Sequence, residues 1–283
     1  MFESFLDTYN LFAEHGFDDP LGETLRLFDL ASGGALRRID LSGLGPGGGD
    51  PASIVSQRKE GVPMEYILGR AVFFGHSLLC TPDTLIPREE TELLVRVAIG
   101  FIEEKLRGKL AITVIDVGTG CGNIAVALAA SSPAVRVLAS DISPSAIEVA
   151  RENVAASGLA DRVSLACGDL LAPFQLEQVG SVDLIVCNPP YIPTNSLSKL
   201  ASEVIDHEPH VALDGGSYGI DIFQRLIHDA PELLAPGGVL AFEIGAGQER
   251  LVTKLLQRTP DYQDIQYHDD GEHVRVISAV KRA

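Results

Sequence analysis

The sequence predicts an α/β protein: a parallel sheet covered on both faces by helices, closed by an antiparallel hairpin, with a small helical unit ahead of it. Three observations carry this prediction. From Ile112 onward, short runs that are apolar throughout alternate with helical segments, the pattern of parallel strands buried on both faces. The end of the chain, YQDIQYHDDGEHVRVISAV, holds two strand-like runs joined by Asp-Asp-Gly, a hairpin signal. The first hundred or so residues lack this regularity, and LGPGGGDP, Leu44 to Pro51, interrupts them with four glycines and two prolines in eight residues.

Residues 1 to about 60 have helical character, with Phe5, Leu6, Tyr9 and Phe12 spaced to form one apolar face. YILGRAVFFGHSLLCTPDTLIPR, Tyr66 to Arg88, has short apolar runs separated by glycine or a Thr-Pro-Asp turn and reads as a small β-hairpin. TVIDV is then the first strand of the regular part, and a glycine loop after it opens the helix NIAVALAA. VRVLASD is the second strand. The helix SPSAIEVARENVAASG follows, with Ser143 as N-cap, Pro144 in the first turn and Gly158 just past the end. VSLACGD and VDLIVC give strands three and four. A long loop from Asn188 to about Tyr218, a helix from Phe223 to Leu234, the strand GVLAFEIG and a helix from Glu249 to Gln257 complete the series.

At 283 residues, 46% of them hydrophobic, the chain can fold as one large domain with a small one attached. Its net charge of −17 opposes binding to duplex nucleic acid, which draws on Lys and Arg neutralising phosphates; cationic partners suit it better. The start, MFESFLDTYN, lacks the basic and apolar regions of a secretory signal, and no run of about 18 or more apolar residues suggests a membrane span. Cys80, Cys121, Cys167 and Cys187 form no C-x-x-C pair and read as free thiols of a reducing cytoplasm. His207 and His210 lack the H-E-x-x-H spacing and read as loop histidines, so no metal is expected.

Two loops carry chemistry. DVGTGCGN places Gly118, Gly120 and Gly122 at a strand's C-terminal edge, where backbone must turn sharply and let a ligand approach. The dinucleotide fingerprint fails, because Asn123 stands where its third glycine would be. Alone, the loop fits a structural turn as well as a ligand site. Asp141 changes that balance: it ends the second strand roughly 20 residues on, where an acid can accept both hydrogen bonds of a ribose diol. Gly168-Asp169-Leu170 would set a further acid near the exocyclic amine of an adenine, although Asp169 alone reads equally as a strand-end turn residue.

The second loop is IVCNPPYIP, in which a buried strand runs into Asn188, Pro189, Pro190 and Tyr191. The prolines stop the strand and stiffen the loop beyond it. An amide or exocyclic aromatic nitrogen is a poor nucleophile, because its lone pair is delocalised. Acceptors for its two N–H bonds, here the Asn188 side-chain oxygen and the Pro189 carbonyl, would favour pyramidal nitrogen and stabilise the positive charge that develops on it. Tyr191 would supply a flat wall for a planar group. The prolines fix the acceptors before reaction.

Together, DVGTGCGN, Asp141 and NPPY resemble the amino-methyltransferases acting on planar nitrogens, and the parallel sheet with its closing hairpin resembles the seven-stranded, Rossmann-like S-adenosylmethionine-dependent methyltransferases. PMEYILGRAVFFGHSLLCTPDTLIPREETELLV and SEVIDHEPHVALDGGSYGIDIF narrow this to a resemblance to the HemK/PrmC family of protein-(glutamine-N5) methyltransferases, from about Pro63 to the C-terminus. The resemblance implies methyl transfer from S-adenosyl-L-methionine, leaving S-adenosyl-L-homocysteine, to the glutamine of the Gly-Gly-Gln loop of class I peptide chain release factors. It implies that Gly118, Thr119, Gly120, Cys121 and Gly122 line the methionine moiety, Asp141 the ribose, and Asp169 with Leu170 the adenine, with Asn188 beside the cofactor. Asn188, Pro189, Pro190 and Tyr191 would hold the glutamine amide, with Asn188, Pro189 and Tyr191 serving catalysis. Arg88 and Glu92 would lie near the domain junction, as a hinge ion pair or a substrate contact. The implied organisation is a helical recognition domain over 1–70, a β-hairpin and linker over 71–100, and a catalytic domain over 101–283. A cytoplasmic monomer is expected, with no direct nucleic-acid or membrane binding. Glu65, Glu89 and His207 depart from the family's usual glutamine, proline and aromatic residue, away from cofactor and NPPY. Another planar nitrogen remains an alternative acceptor: a ribosomal-protein glutamine, adenine N6 or a small-molecule amide. So does a non-catalytic cofactor-binding partner.

Overall fold

The computed structural model describes residues 5–32, 51–174 and 178–283, so residues 44–50 of the glycine-proline run lie outside it. Four helices come first: α1 (Phe5–Glu14), α2 (Pro20–Ser32), α3 (Pro51–Lys59) and α4 (Met64–Leu68). They share a core that includes Phe12, Leu27, Ile54 and Met64. The four apolar residues of α1 do not form one face. Phe5 and Phe12, two turns apart, pack inward, whereas Leu6 and Tyr9 are 64% and 37% exposed.

The expected hairpin is present as β1 (Arg70–Phe73) and β2 (His76–Leu79), paired antiparallel from Arg70–Leu79 to Phe73–His76. Its turn, Phe74 and Gly75, has positive φ at both residues (48° and 77°), the mirror-image geometry that matches strand twist. The helix α5 (Thr91–Leu106), which the sequence reading did not single out, follows. It buries Leu94, Val95, Ala98 and Ile102 against the main sheet, in a cluster that also takes in Phe73 and Leu78 of the hairpin.

The main sheet contains β3 (Ile112–Val117), β4 (Val135–Asp141), β5 (Val163–Cys167), β6 (Val182–Cys187), β7 (Leu234–Glu243), β8 (Tyr262–Asp269) and β9 (Val274–Lys281). Their spatial order is β5-β4-β3-β6-β7-β9-β8, with only the pairs made by β9 antiparallel. The intervening helices are α6 (Asn123–Ser131), α7 (Pro144–Ala156), α8 (Ser202–Ile205), α9 (Asp221–Leu233) and α10 (Glu249–Arg258). Ser143 caps α7 by accepting from the Ala146 amide at 3.3 Å, and Gly158 follows the helix with φ 67°. The stretch expected as loop from Asn188 to Tyr218 contains α8 and two short 3-10 turns, Thr194–Lys199 and His210–Ala212. No helix among the described residues is long and apolar enough to cross a membrane.

Side-chain alternation sorts the strands between two cores. Leu184 and Val186 of β6 and Val239 and Ala241 of β7 face the α5, α6 and α7 side, while Ile185, Cys187, Leu240 and Phe242 face α9 and α10. Continuing that period by one step directs Asn188 and Glu243 to the α5 side. Because Cys187 pairs with Phe242, the two lie side by side.

Candidate active site

The order in which strands are added reverses between β3, which leads outward to β4, and β6, which leads the other way to β7. Such a switch point leaves a crevice at the strands' C-terminal ends. A cavity of about 460 Å³ fills it, within the usual range for small-molecule sites. Gly118, Thr119, Gly120, Cys121, Asp141, Asp169, Leu170, Asn188, Pro189 and Pro190 all line it. Gly122 and Tyr191, the other two residues singled out from sequence, do not. A Cβ on Gly122 would meet the Ala150 Cβ at 3.3 Å, so this glycine serves close packing of α6 on α7.

Gly118 and Gly120 have φ of 69° and 55°, and a Cβ built on either would stand in open space with no atom within 4 Å. The loop therefore presents bare backbone to the cavity. Asp141 holds it: Oδ2 accepts from the Gly120 amide and Oδ1 from the Ser143 amide, both at 2.9 Å. Beneath the loop, Asp116 is fully buried and accepts from the Thr119 hydroxyl at 2.6 Å, while its Oδ1 has no partner. Burial raises this carboxyl to about 7. Burial likewise raises the Cys121 thiol to about 12, so it faces the cavity protonated. Asn153 of α7 ties the loop to the hairpin: its Nδ2 donates to the Cys121 carbonyl (2.9 Å) and the Leu79 carbonyl (3.0 Å), and its Oδ1 accepts from the Leu79 amide (2.6 Å).

At the wall formed by the loop after β5, Asp169 is half exposed and ion-paired with Arg225 of α9. On the opposite side, Arg88 pairs with the buried Glu208, which also accepts from the Ile86 amide. Arg88 and Glu92 do not pair with each other. Glu92 accepts from the Phe74 amide at 2.9 Å and binds Arg96 one turn on, because the hairpin turn lies against the start of α5.

Around NPPY the hydrogen bonds are asymmetric. Ile192 and Tyr191 are held: the Ile192 amide donates to the Leu213 carbonyl at 3.1 Å, and the Tyr191 carbonyl accepts from Gln248 Nε2 at 2.9 Å. The Asn188 Nδ2 donates to the Thr91 hydroxyl at 3.0 Å. Thr91 in turn donates to Glu243 Oε2 at 2.7 Å, and the Tyr191 hydroxyl donates to Glu243 Oε1 at 3.3 Å. Tyr191 thus lies behind the cavity wall, its ring against Gly245. Among the described residues no donor reaches Asn188 Oδ1 or the Pro189 carbonyl. Two acceptors stand unused on the lining of the cavity.

Residues 97–259 match the model of the methyltransferase small domain family. The release factor glutamine methyltransferase of Moorella thermoacetica is 42% identical over 216 residues, covering 76% of this chain and 74% of the relative. The chain belongs to the release factor glutamine methyltransferase family. The enzyme of that name from Geobacter sulfurreducens is 42% identical over 206 residues, covering 73% of this chain and 69% of its own. Family membership makes the chain a methyltransferase. Solved structures agree in fold: the hMettl16 catalytic domain superposes with a TM-score of 0.60 at 19% identity over 93% of this chain and 90% of its own. A Pyrococcus furiosus methyltransferase gives 0.52 at 18% identity over 74% and 91%.

Sequence reasoning missed Thr91, Glu243 and Arg225. The signal for Glu243 was available: it is an acid at the C-terminal end of the strand beside β6, level with Asn188. Thr91 and Arg225 reach the site from helices, and no local pattern announces them.

Proposed function

We propose that this chain transfers a methyl group from S-adenosyl-L-methionine to the side-chain amide nitrogen of the glutamine in the Gly-Gly-Gln loop of class I peptide chain release factors. The observation that carries the reading is the pair of unengaged acceptors, Asn188 Oδ1 and the Pro189 carbonyl, beside an open glycine-lined cavity. The relatives' names supply the substrate class.

The residues fit the cofactor, because Gly118 and Gly120 form a cradle that a Cβ would fill. Gly118, Thr119, Gly120 and Cys121 would hold its methionine part, Asp141 the ribose, and Asp169 with Leu170 the adenine. When bound, the cofactor supplies an electrophilic methyl on a sulfonium that departs as a neutral thioether. Asn188 Oδ1 and the Pro189 carbonyl each accept one N–H of the glutamine amide, turning its lone pair toward the methyl and stabilising the cationic nitrogen. The methylated nitrogen then sheds one proton to water, so no strong base is required. Pro189 and Pro190 hold the acceptors still. Tyr191 supports the loop from behind through Glu243.

In the same reading, residues 1–70 recognise the protein substrate, 71–100 connect, and 101–283 catalyse, with α5 running across the second boundary. The enzyme acts in the cytoplasm as a monomer. The test is peptide mass spectrometry of a purified release factor incubated with this protein and S-adenosylmethionine. One added methyl on the Gly-Gly-Gln glutamine is expected. An unmodified glutamine, with cofactor binding confirmed, would overturn the substrate and turn the search to other amide or adenine acceptors.

A further inference from the structure

The orientation of the Asn188 amide is fixed by proton counting. Glu243 lies at the end of β7, nearly fully buried, and as a carboxylate it can only accept. Both hydroxyls that reach it, Thr91 at 2.7 Å and Tyr191 at 3.3 Å, must therefore donate. A hydroxyl has one proton. Once Thr91 has committed it to Glu243, the Thr91 oxygen can only accept from Asn188, so Nδ2 must face Thr91 and Oδ1 must face the cavity.

We infer that Glu243 and Thr91 are positioning residues for methyl transfer, a proton-ordered relay that locks the Asn188 side chain with its oxygen toward the substrate nitrogen. The inference rests on the proposed amide acceptor. Flipping Asn188 would set an NH₂ group against the substrate's own N–H, which removes one acceptor and opposes the developing positive charge. Neither Glu243 nor Thr91 needs to touch the reacting atoms.

The relay also has a condition under which it fails. Burial, opposed by the Thr91 and Tyr191 hydrogen bonds, raises the Glu243 carboxyl to about 7. The ionisable groups around it are Tyr191 from the NPPY loop, Cys187 of β6, Glu90 just ahead of α5 and Arg275 of β9. Of these, burial raises both Tyr191 and Cys187, so they stay protonated and neutral across this range. Once protonated, Glu243 can itself donate to Thr91. That frees the Thr91 proton to point at Asn188 and makes the flipped amide equally well satisfied.

Two measurements on the full-length protein test this. The first is turnover against pH for the parent, Glu243→Gln, Thr91→Val and Thr91→Ser, with calorimetric cofactor affinity for each. Expected are a fall in kcat below about pH 7 in the parent, and a loss of about tenfold or more in Glu243→Gln and Thr91→Val, the usual scale for groups that orient a reacting ligand. Thr91→Ser, which keeps the hydroxyl, recovers most of that loss, and cofactor affinity stays as in the parent throughout. The second is the ¹⁵N signal of the Asn188 side-chain amide, followed by NMR without substrate. It should titrate near pH 7 in the parent and not in Glu243→Gln. If no release factor is methylated, the substrate reading fails while the Asn188 titration still decides the relay. An Asn188 signal indifferent to pH and to Glu243→Gln overturns it. So does parent-like kcat in Glu243→Gln.

Discussion

Arg58 of α3 and Glu203 of α8, 145 residues apart, are joined at 2.9 Å, and the same guanidinium grips Glu23 of α2 at 2.6 Å and the Val62 carbonyl. Arg58 is only 8% exposed, so its removal would leave two carboxylates facing each other with little water. Because Glu203 is about one-third exposed, the expected cost of Arg58→Ala is below that of breaking a fully buried pair, about 2 kcal/mol. Urea unfolding measures it, and an unchanged midpoint would refute the hub. Hydrogen exchange over 202–206 should also quicken, since α8 loses its tie to α3.

Gly120→Ala should separate binding from folding. Its added methyl enters open cavity, so the cost to stability is only the left-handed backbone penalty, about 1–2 kcal/mol. Cofactor affinity should fall by about tenfold or more, because one or more well-packed ligand contacts are displaced. Calorimetric titration decides it; parent-like affinity would mean that the cradle is not where the cofactor lies.

Asn188→Ala should lower single-turnover methyl transfer by about a hundredfold, by analogy with deleting one oxyanion-hole donor, while leaving cofactor affinity nearly intact. Asp141→Ala should reverse the pattern, because it removes the clamp on the Gly120 amide together with the proposed ribose acceptor. Transfer rates that survive Asn188→Ala would remove this residue from the mechanism.

Asp116 makes a prediction about pH and stability. Its folded value, about 7, lies above the ordinary 3.8. The neutral carboxyl therefore contributes stability that is fully present below about pH 4 and is lost as pH rises through 7. Relative to the parent, Asp116→Asn should gain about 3 kcal/mol between about pH 5 and about pH 8. Glu243 adds a parallel loss to both proteins, so comparing their urea midpoints isolates Asp116. A constant difference across that range would contradict this account.

What the sequence announces are features written in neighbouring residues. Ser143, Pro144 and Gly158 bracket α7, glycines mark the loop after β3, and NPPY ends β6. The glycine loop and NPPY, with Asp141, whose strand register is set by its own apolar run, place one wall of the cavity from sequence alone. What it conceals are pairings across long separations. Arg225 of α9 meets Asp169 after β5 over 56 residues, and Thr91 meets Glu243 over 152, the latter because the sheet order brings β7 beneath the start of α5. Phe5 and Leu6 show the other limit: both are apolar, and only the packing of α1 decides which turns inward.

Asn153 grips main-chain atoms alone, the amide and carbonyl of Leu79 and the carbonyl of Cys121. A joint of that kind is blind to side-chain identity at either end. This tie between the hairpin and the loop after β3 therefore does not depend on which side chain stands at position 79 or 121. One asparagine thereby holds the hairpin and the glycine loop in register through backbone atoms alone.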